Sequence, residues 1–392
     1  MINRILIGFL LLFIGFFAGQ NYKTINAINL EQVLATKNSQ LGLAYSNLVS
    51  HYYEEVLNKT INMNQSIDAF LSDPSIENLE YCKQNWIEAR EVYGITEAFR
   101  FYGGPIDGVN QFGEEGPEGL INSWPLNEAH IDYVRGNPEA GLINNLAFEI
   151  NAESIVSSNQ TGDDADVSTG WHAIEFLLWG QDHSLETAGT RSHEDYLPGI
   201  NNNDRRRAYL SESSQMLLAH IKWLNDQWDK KGAGRIDFMS REDIGGNILT
   251  GIATLAGFEL SSERIATALD SGDPEDEHSC FSDQTHKDII ANFNGIKNVY
   301  LGLGINGEEF SPSISDIVLE KDPDLNKKIL ILFNNTMDEI NDITVPFDKM
   351  LSEPPNSPGK QAAENTVSNL LLLAESFKDA GNILDWQVII AE

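Results

Sequence analysis

The sequence predicts an all-α protein made of two helical-bundle halves that pack together. Apolar residues recur at spacings of three and four along most of the 392-residue chain after residue 40. Strict alternation of apolar and polar residues, which is typical of strands, is scarce. In the last long helix the spacing alternates between four and three, as in a bundle seam. The residues of that seam are Ala363, Val367, Leu370, Ala374 and Phe377.

The first two predicted helices meet at Ser72-Asp73-Pro74. An N-cap candidate followed by proline ends one helix and opens the next. The inward stripe of the second helix is Leu79, Cys82, Trp86, Ala89 and Tyr93.

Charged residues continue this second stripe. Steps of four and three place Glu97 and Arg100 on it, and Arg90 lies two turns before Glu97. Charges on a buried face are unfavourable unless they are paired. Two interpretations stay open, a structural ion pair between Glu97 and an arginine, or the wall of a polar pocket.

Long polar connections separate the predicted halves. Residues 103–130 form a Gly/Pro-rich connection, and loops of that length are often functional. Residues 182–203 form a second polar break, which we interpret as the domain boundary. The predicted units are residues 21–185 and residues 186–392.

The helix beginning near Gly246 repeats the pattern of the Glu97 helix. Its apolar stripe is interrupted by Glu259, and Glu263 lies one turn further along. Both helices therefore carry an acid on an otherwise apolar face near one end.

The chain is strongly acidic, with 59 acidic and 26 basic residues and a formal net charge of −33. Nucleic acids and anionic lipid surfaces are poor partners for such a molecule, because both are negative. Most of the acids are expected to form a solvated outer shell.

The N-terminus resembles a targeting segment. Arg4 supplies a short positive region, and residues 5–17 form an apolar run too short for a comfortable membrane span. We predict that residues 1–20 are a signal peptide or an N-terminal anchor, which leaves open a membrane association through this segment. The expected location is the periplasm or the cell surface.

His172 and Glu175 lie in a short apolar helix and are three residues apart, so their side chains meet. An imidazole and a carboxylate that converge in apolar surroundings are part of a ligand set for iron, zinc or copper. The alternative is a helical histidine hydrogen-bonded to a neighbouring acid.

Residues 273–288 crowd histidines, hydroxyls and carboxylates into one loop and helix start. Asp283 and His286 are three apart, as His172 and Glu175 are, and helix capping does not explain the histidines. Of the two cysteines, Cys82 and Cys280, the second lies in this segment. A free or paired buried thiol is favoured over metal ligation.

Three stretches are specific in combination. They are Asn85-Trp86…Arg90…Glu97-Ala98-Phe99-Arg100-Phe101 with Gly104-Pro105-Ile106-Asp107, then Gly170-x-His172-x-x-Glu175, then Glu277-His278-Ser279-Cys280-Phe281-Ser282-Asp283-x-Thr285-His286-x-Asp288. In this order they resemble the imelysin-like family.

The resemblance implies two helical bundles with a site between them, export in a bacterium, and a role in iron uptake. It implies His172 and Glu175 as metal ligands, with iron as the expected metal and zinc as the alternative. The ligand would be a metal ion or an iron-bearing small molecule. The residues expected to line the cleft are Trp86, Arg90, Glu97, Arg100, Glu259, Glu263, Asp283 and His286.

The family is grouped with metallopeptidases, but the His-Glu-x-x-His string of a zincin is absent. A peptidase would need a noncontiguous zinc site made from His172, Glu175 and a residue of 278–286. Iron binding is the favoured function, metallopeptidase activity the alternative, and a structural surface protein the third class.

Overall fold

The computed structural model of this chain describes residues 37–109 and 113–390, and the regular elements of those residues are all helical. The all-α prediction is confirmed. The helices are α1 Lys37–Ser72, α2 Ile76–Thr96, α3 Glu118–Ile121, α4 Glu128–Ile131, α5 Gly141–Asn144, α6 Ala152–Ser158, α7 Gly170–Trp179, α8 Asn203–Trp228, α9 Ala233–Met239, α10 Ile244–Thr254, α11 Thr267–Ser271, α12 Thr285–Leu301, α13 Ile314–Lys321, α14 Pro323–Asp342, α15 Phe347–Ser352 and α16 Pro358–Leu384.

The long helices form two packed groups. Helix α1 packs along α2 and α8, whereas α16 packs against α14 and α10. Helix α12 packs against α2 and so joins the two groups. Because α8 packs on α1, the first group includes a helix that the predicted division after residue 185 assigns to the second half.

A π-helix, Leu255–Ala266, continues α10 and leads directly into α11. Residues five apart face each other on such a segment, and π-helical turns are frequent at functional sites. This segment carries Glu259, Glu263 and Arg264, so its geometry decides which of the three points inward.

Helix α7 is buried over its whole length. Trp86 packs edge-on against the rings of Trp171 and Trp179, and its indole nitrogen donates a hydrogen bond to the Trp171 carbonyl at 3.1 Å. The helix begins at Gly170, whose φ is +84°, and a Cβ there would lie 2.3 Å from the Ile121 carbonyl oxygen. Only glycine therefore allows α7 to start against the turn at residue 121.

The predicted targeting segment lies outside the described residues. Within residues 37–109 and 113–390, no helix has both the length and the hydropathy needed to cross a bilayer. Cys82 and Cys280 are both free thiols.

Candidate functional site

The guanidinium of Arg90 lies at the centre of a buried polar cluster. Its Nε is 3.0 Å from Asp288 Oδ1, and its Nη2 is 3.2 Å from Asp288 Oδ2. The same Nη2 lies 3.4 Å from His172 Nε2 and 3.4 Å from His278 Nε2. One guanidinium nitrogen is thus surrounded by two imidazoles and a carboxylate, and we call these four residues the Arg90 cluster.

The cluster joins three elements that are distant in sequence. Arg90 comes from α2, His172 from α7, and Asp288 from the first turn of α12. His278 comes from the preceding loop, where its Nδ1 lies 2.8 Å from Asp288 Oδ2. Residues of the two predicted units, 21–185 and 186–392, are therefore in contact at this cluster.

The protonated nitrogen of His172 follows from its neighbours. A guanidinium can only donate hydrogen bonds, so the ring nitrogen facing Arg90, Nε2, must be the acceptor. The proton then lies on Nδ1, which donates to Glu175 Oε2 at 2.9 Å. This tautomer, with a carboxylate behind the ring, is the one found in metal-ligating histidines.

Glu175 is bonded through both of its oxygens. Its Oε1 accepts hydrogen bonds from the Ser282 backbone N–H at 3.0 Å and from the Ser282 hydroxyl at 2.6 Å. Both His172, at 1% exposure, and Glu175, at 0%, are shielded from solvent. Glu175 therefore orients His172 and anchors the 282 loop at the same time.

Burial dominates the protonation equilibria of these groups. It holds the pKa of His172 well below its ordinary value and lowers the pKa of His278 to about 4, with nearby arginine charges adding to both shifts. Burial also acts to raise the pKa of Glu175, and the hydrogen bonds from Ser282 oppose that shift. For Asp288 burial acts in the same upward direction, but Arg90 and His278 outweigh it and hold the pKa well below its usual range.

A second ion cluster lies beside the first. Glu97 Oε2 pairs with Arg100 at 2.7 Å and with Arg264 at 2.6 Å, and Arg264 also reaches Glu259 at 2.8 Å. Burial alone would raise the pKa of Glu97, but the two arginines overcome it and lower that pKa.

Asn122 connects the two clusters. Its side-chain carbonyl accepts from Arg90, and its amide nitrogen lies 3.4 Å from Glu97 Oε1. Glu97 is thus ion-paired with two arginines, and it also belongs to a larger polar interior. The two interpretations of Glu97, a structural ion pair and part of a polar region, are compatible.

The structure brings together some of the predicted site residues. His172, Glu175 and Arg90 form one group, and Glu97, Arg100 and Glu259 form the adjoining one.

The other predicted site residues lie elsewhere. Trp86 is fully buried and supports α7 without joining the ion pairs, and Glu263 is exposed. His286 hydrogen-bonds the backbone of Asp283. Asp283 itself points towards Asp182 and Asp348, in a separate acidic region.

Several residues of the polar interior were not singled out from the sequence. Arg264, Asp288 and Asn122 make long-range contacts that local spacing does not reveal. His278, Ser282 and Asp288 lay within the 277–288 stretch, where a zinc ligand for the alternative function and a helix cap were expected but these contacts were not. The one available signal was the density of polar residues in that stretch.

The side chains around Arg90 Nη2 are of the types that bind transition metals, but among the described residues only Asp182, Asp283 and Asp348 hold three ligand atoms within 4.8 Å of one another. Two imidazole nitrogens and one carboxylate form the set typical of non-haem iron sites. In this structure a guanidinium nitrogen lies between them at 3.2–3.4 Å, which is longer than a metal–ligand bond. A metal bound here would replace Arg90 as the positive charge.

Comparison with known proteins identifies the family. The imelysin family model matches residues 49–376, so the chain belongs to the imelysin family. It is 25% identical over 282 residues to the iron-regulated protein A of Synechococcus elongatus, covering 70% of this chain and 67% of that protein. Its fold is similar to the crystal structure of a candidate iron-regulated protein A precursor from Parabacteroides distasonis, with a TM-score of 0.64 and 19% identity. That match covers 87% of this chain and 96% of the other.

Proposed function

We propose that this member of the imelysin family serves bacterial iron uptake by binding iron at the Arg90 cluster, in the periplasm or at the cell surface. The iron-related name of the Synechococcus relative supports the cellular role. The observation that carries the binding site is the convergence of His172 Nε2, the His278 ring and Asp288 on one cationic nitrogen, which lies 3.2 Å from His278 Nδ1 and 3.4 Å from its Nε2.

In this proposal Glu175 is not a direct ligand. Its two oxygens are engaged by His172 Nδ1 and by Ser282, so its role is to fix the ring whose Nε2 faces the metal. Zinc, the alternative metal, would accept the same donors. An iron-bearing small molecule would have to approach through a group that fits beside Arg90.

Iron and Arg90 cannot occupy the same place. The guanidinium must withdraw as the metal enters, and the imidazoles, which are neutral at pH 7, are then ready to bind without losing protons. The exchange keeps a cation beside Asp288, although ferrous iron carries one more positive charge than the guanidinium it replaces.

Iron binding fits the geometry better than peptidase activity. A peptidase must bring a peptide and an attacking water to its metal, whereas His172 and His278 are almost completely shielded from solvent. A small ion needs a much smaller opening.

Metal analysis of the purified full chain tests the proposal. After anaerobic loading with ferrous iron and desalting, we expect about one iron per chain for the wild type and background iron for His172→Gln. His220→Gln is the matched control, because His220 is also largely buried but lies on α8. Iron content equal in all three proteins would exclude His172 as a ligand.

A further inference from the structure

A second polar region lies behind Ser282, in a cavity of about 190 Å³. It is enclosed by the loop after α7, the segment 273–281 and α15. Among its lining residues are Asp182, His183, Glu275, Glu277, Cys280 and Asp348. None of these side chains belongs to the Arg90 cluster.

Three carboxylates from three separate segments converge here, and two of them, Asp182 and Asp348, line the cavity. One oxygen from each of Asp182, Asp283 and Asp348 lies within 4.8 Å of the others. Two of the side chains are held by local backbone contacts, since Asp182 accepts from the Ser184 N–H at 2.9 Å and Asp348 from the Lys349 N–H at 3.0 Å. We call these three residues the acidic triad.

No basic side chain forms an ion pair with the triad among the residues that the structure describes. The nearest lysine in sequence, Lys349, instead pairs with Glu186 at 2.8 Å. The Asp182 and Asp283 carboxyl groups hydrogen-bond each other, which requires a proton on one of them. The triad therefore holds its carboxyl groups together by a shared proton, with no basic side chain paired to them among the described residues.

Glu277 provides an independent indication of a ligand. Its side chain lines the same cavity and the residue is only 1% exposed, yet its Oε2 has no hydrogen-bond partner. The Thr285 hydroxyl bonds the carboxyl group, and the remaining oxygen is left over. A buried acceptor without a partner is unfavourable, and a bound cation or its water would supply the missing contact.

We infer that the acidic triad and Glu277 form a binding site for a hard divalent cation, distinct from the Arg90 cluster. The donors are carboxylate oxygens, which calcium, magnesium and manganese prefer, whereas the Arg90 cluster offers imidazole nitrogens.

The size of the cavity favours a cation that keeps part of its water. Its volume is several times the share of about 30 Å³ that one water occupies in the liquid. Calcium accepts six to eight oxygen ligands in irregular geometry, so the three aspartates and several waters, one of them bound to Glu277, would complete its coordination. Calcium is therefore the cation of choice for testing the site.

Calorimetric titration of the chelator-treated full chain with calcium chloride tests this inference. We expect saturable binding of one ion by the wild type and at least tenfold weaker binding by the double variant Asp182→Asn, Asp348→Asn. The control is the double variant Asp204→Asn, Glu263→Gln, because both of those acids are exposed. The asparagine changes keep side-chain shape and remove repulsion, so the folded state is expected to persist, as circular dichroism can verify.

Equal calcium binding by the triad variant and the control, or no saturable binding at millimolar calcium, would overturn the inference. The test is independent of the proposed function, because His172→Gln is expected to retain calcium binding while losing iron. If iron is instead retained by His172→Gln and lost from the triad variant, the triad remains a cation site and the iron assignment to the Arg90 cluster fails.

Discussion

The Arg90 cluster and the acidic triad are neighbours, but they differ in whether a basic side chain is paired with their carboxylates. In the cluster, Asp288 is paired with Arg90 at 3.0 Å, and both side chains are almost fully buried. In the triad, carboxylates approach one another without a basic partner among the described residues. The first arrangement holds its own cation in the absence of a ligand, whereas the second has no basic partner among the described residues.

The same short segment supplies both regions. His278 and Asp288 contact Arg90, while Glu277 lines the cavity and Asp283 approaches Asp182 and Asp348. Acidic side chains without a basic partner can persist in a native state that binds a cation, because that binding increases the stability of the native state. The contrast is therefore between a cluster where a bound metal has to replace a protein cation and a triad where no basic side chain of the described residues has to be displaced.

Removing the central cation should have the largest effect. Arg90→Met leaves Asp288 buried without its partner, so we expect a loss of about 3–5 kcal/mol in the free energy of unfolding. Urea denaturation measures it, with the exposed Lys222→Met as control. Ferrous iron should raise the Tm of this variant more than that of the wild type, since the metal can replace the lost charge. A Tm unaffected by iron would count against the exchange of Arg90 for metal.

Displacing His172 without altering any charge should have the next largest effect. Gly170→Ala combines a φ of +84° with a Cβ placed 2.3 Å from a backbone oxygen. We expect a loss of about 1–3 kcal/mol from backbone strain, plus the cost of shifting α7. Gly199→Ala is the matched control, because Gly199 has a φ of +74° and no atom within 4 Å of its Cβ position. If thermal denaturation shows equal losses, the start of α7 is not held by the contact at residue 121.

Relieving repulsion in the triad should stabilise the protein. The pKa of Asp283 is about 7 in the folded state, above the ordinary 3.8, so the native state binds more protons between these values. Stability of the wild type should therefore fall as pH rises from about 4 to about 7. Asp283→Asn removes that loss, and we expect a gain of about 1 kcal/mol at pH 8 after allowing for solvent screening. The two proteins should have similar Tm values at pH 4; a difference independent of pH would refute the explanation.

Changing an acid that belongs to neither region should have the smallest effect. Glu263→Gln alters an exposed side chain, so the free energy of unfolding should change by less than about 0.5 kcal/mol. Its iron and calcium stoichiometries should equal those of the wild type. A loss of either ion would place Glu263 in the site after all.

Local spacing predicted the contacts made within one helix. Helical periodicity brings together residues three apart, and His172 with Glu175 and Arg100 with Glu97 both meet as expected. The helical stripes and the break at Ser72 likewise match the observed elements.

The sequence could not reveal pairs that depend on how helices pack. Asp288 with Arg90 and Arg264 with Glu97 are 198 and 167 residues apart. The interpretation of Glu263 assumed α-helical turns, but a π-helix advances the chain by a smaller rotation per residue. Arg264, which lies five residues after Glu259, therefore points inward and contacts Glu259.

The amide of Asn122 has two unlike ends, and the fold uses both. Its oxygen faces a guanidinium and its nitrogen faces a carboxylate. Turning the amide by 180° would set donor against donor and acceptor against acceptor, so the group has a single favourable orientation. The Asn122 amide therefore contacts both ion clusters. A cation bound at one cluster would act on this shared amide, and through it on the other cluster.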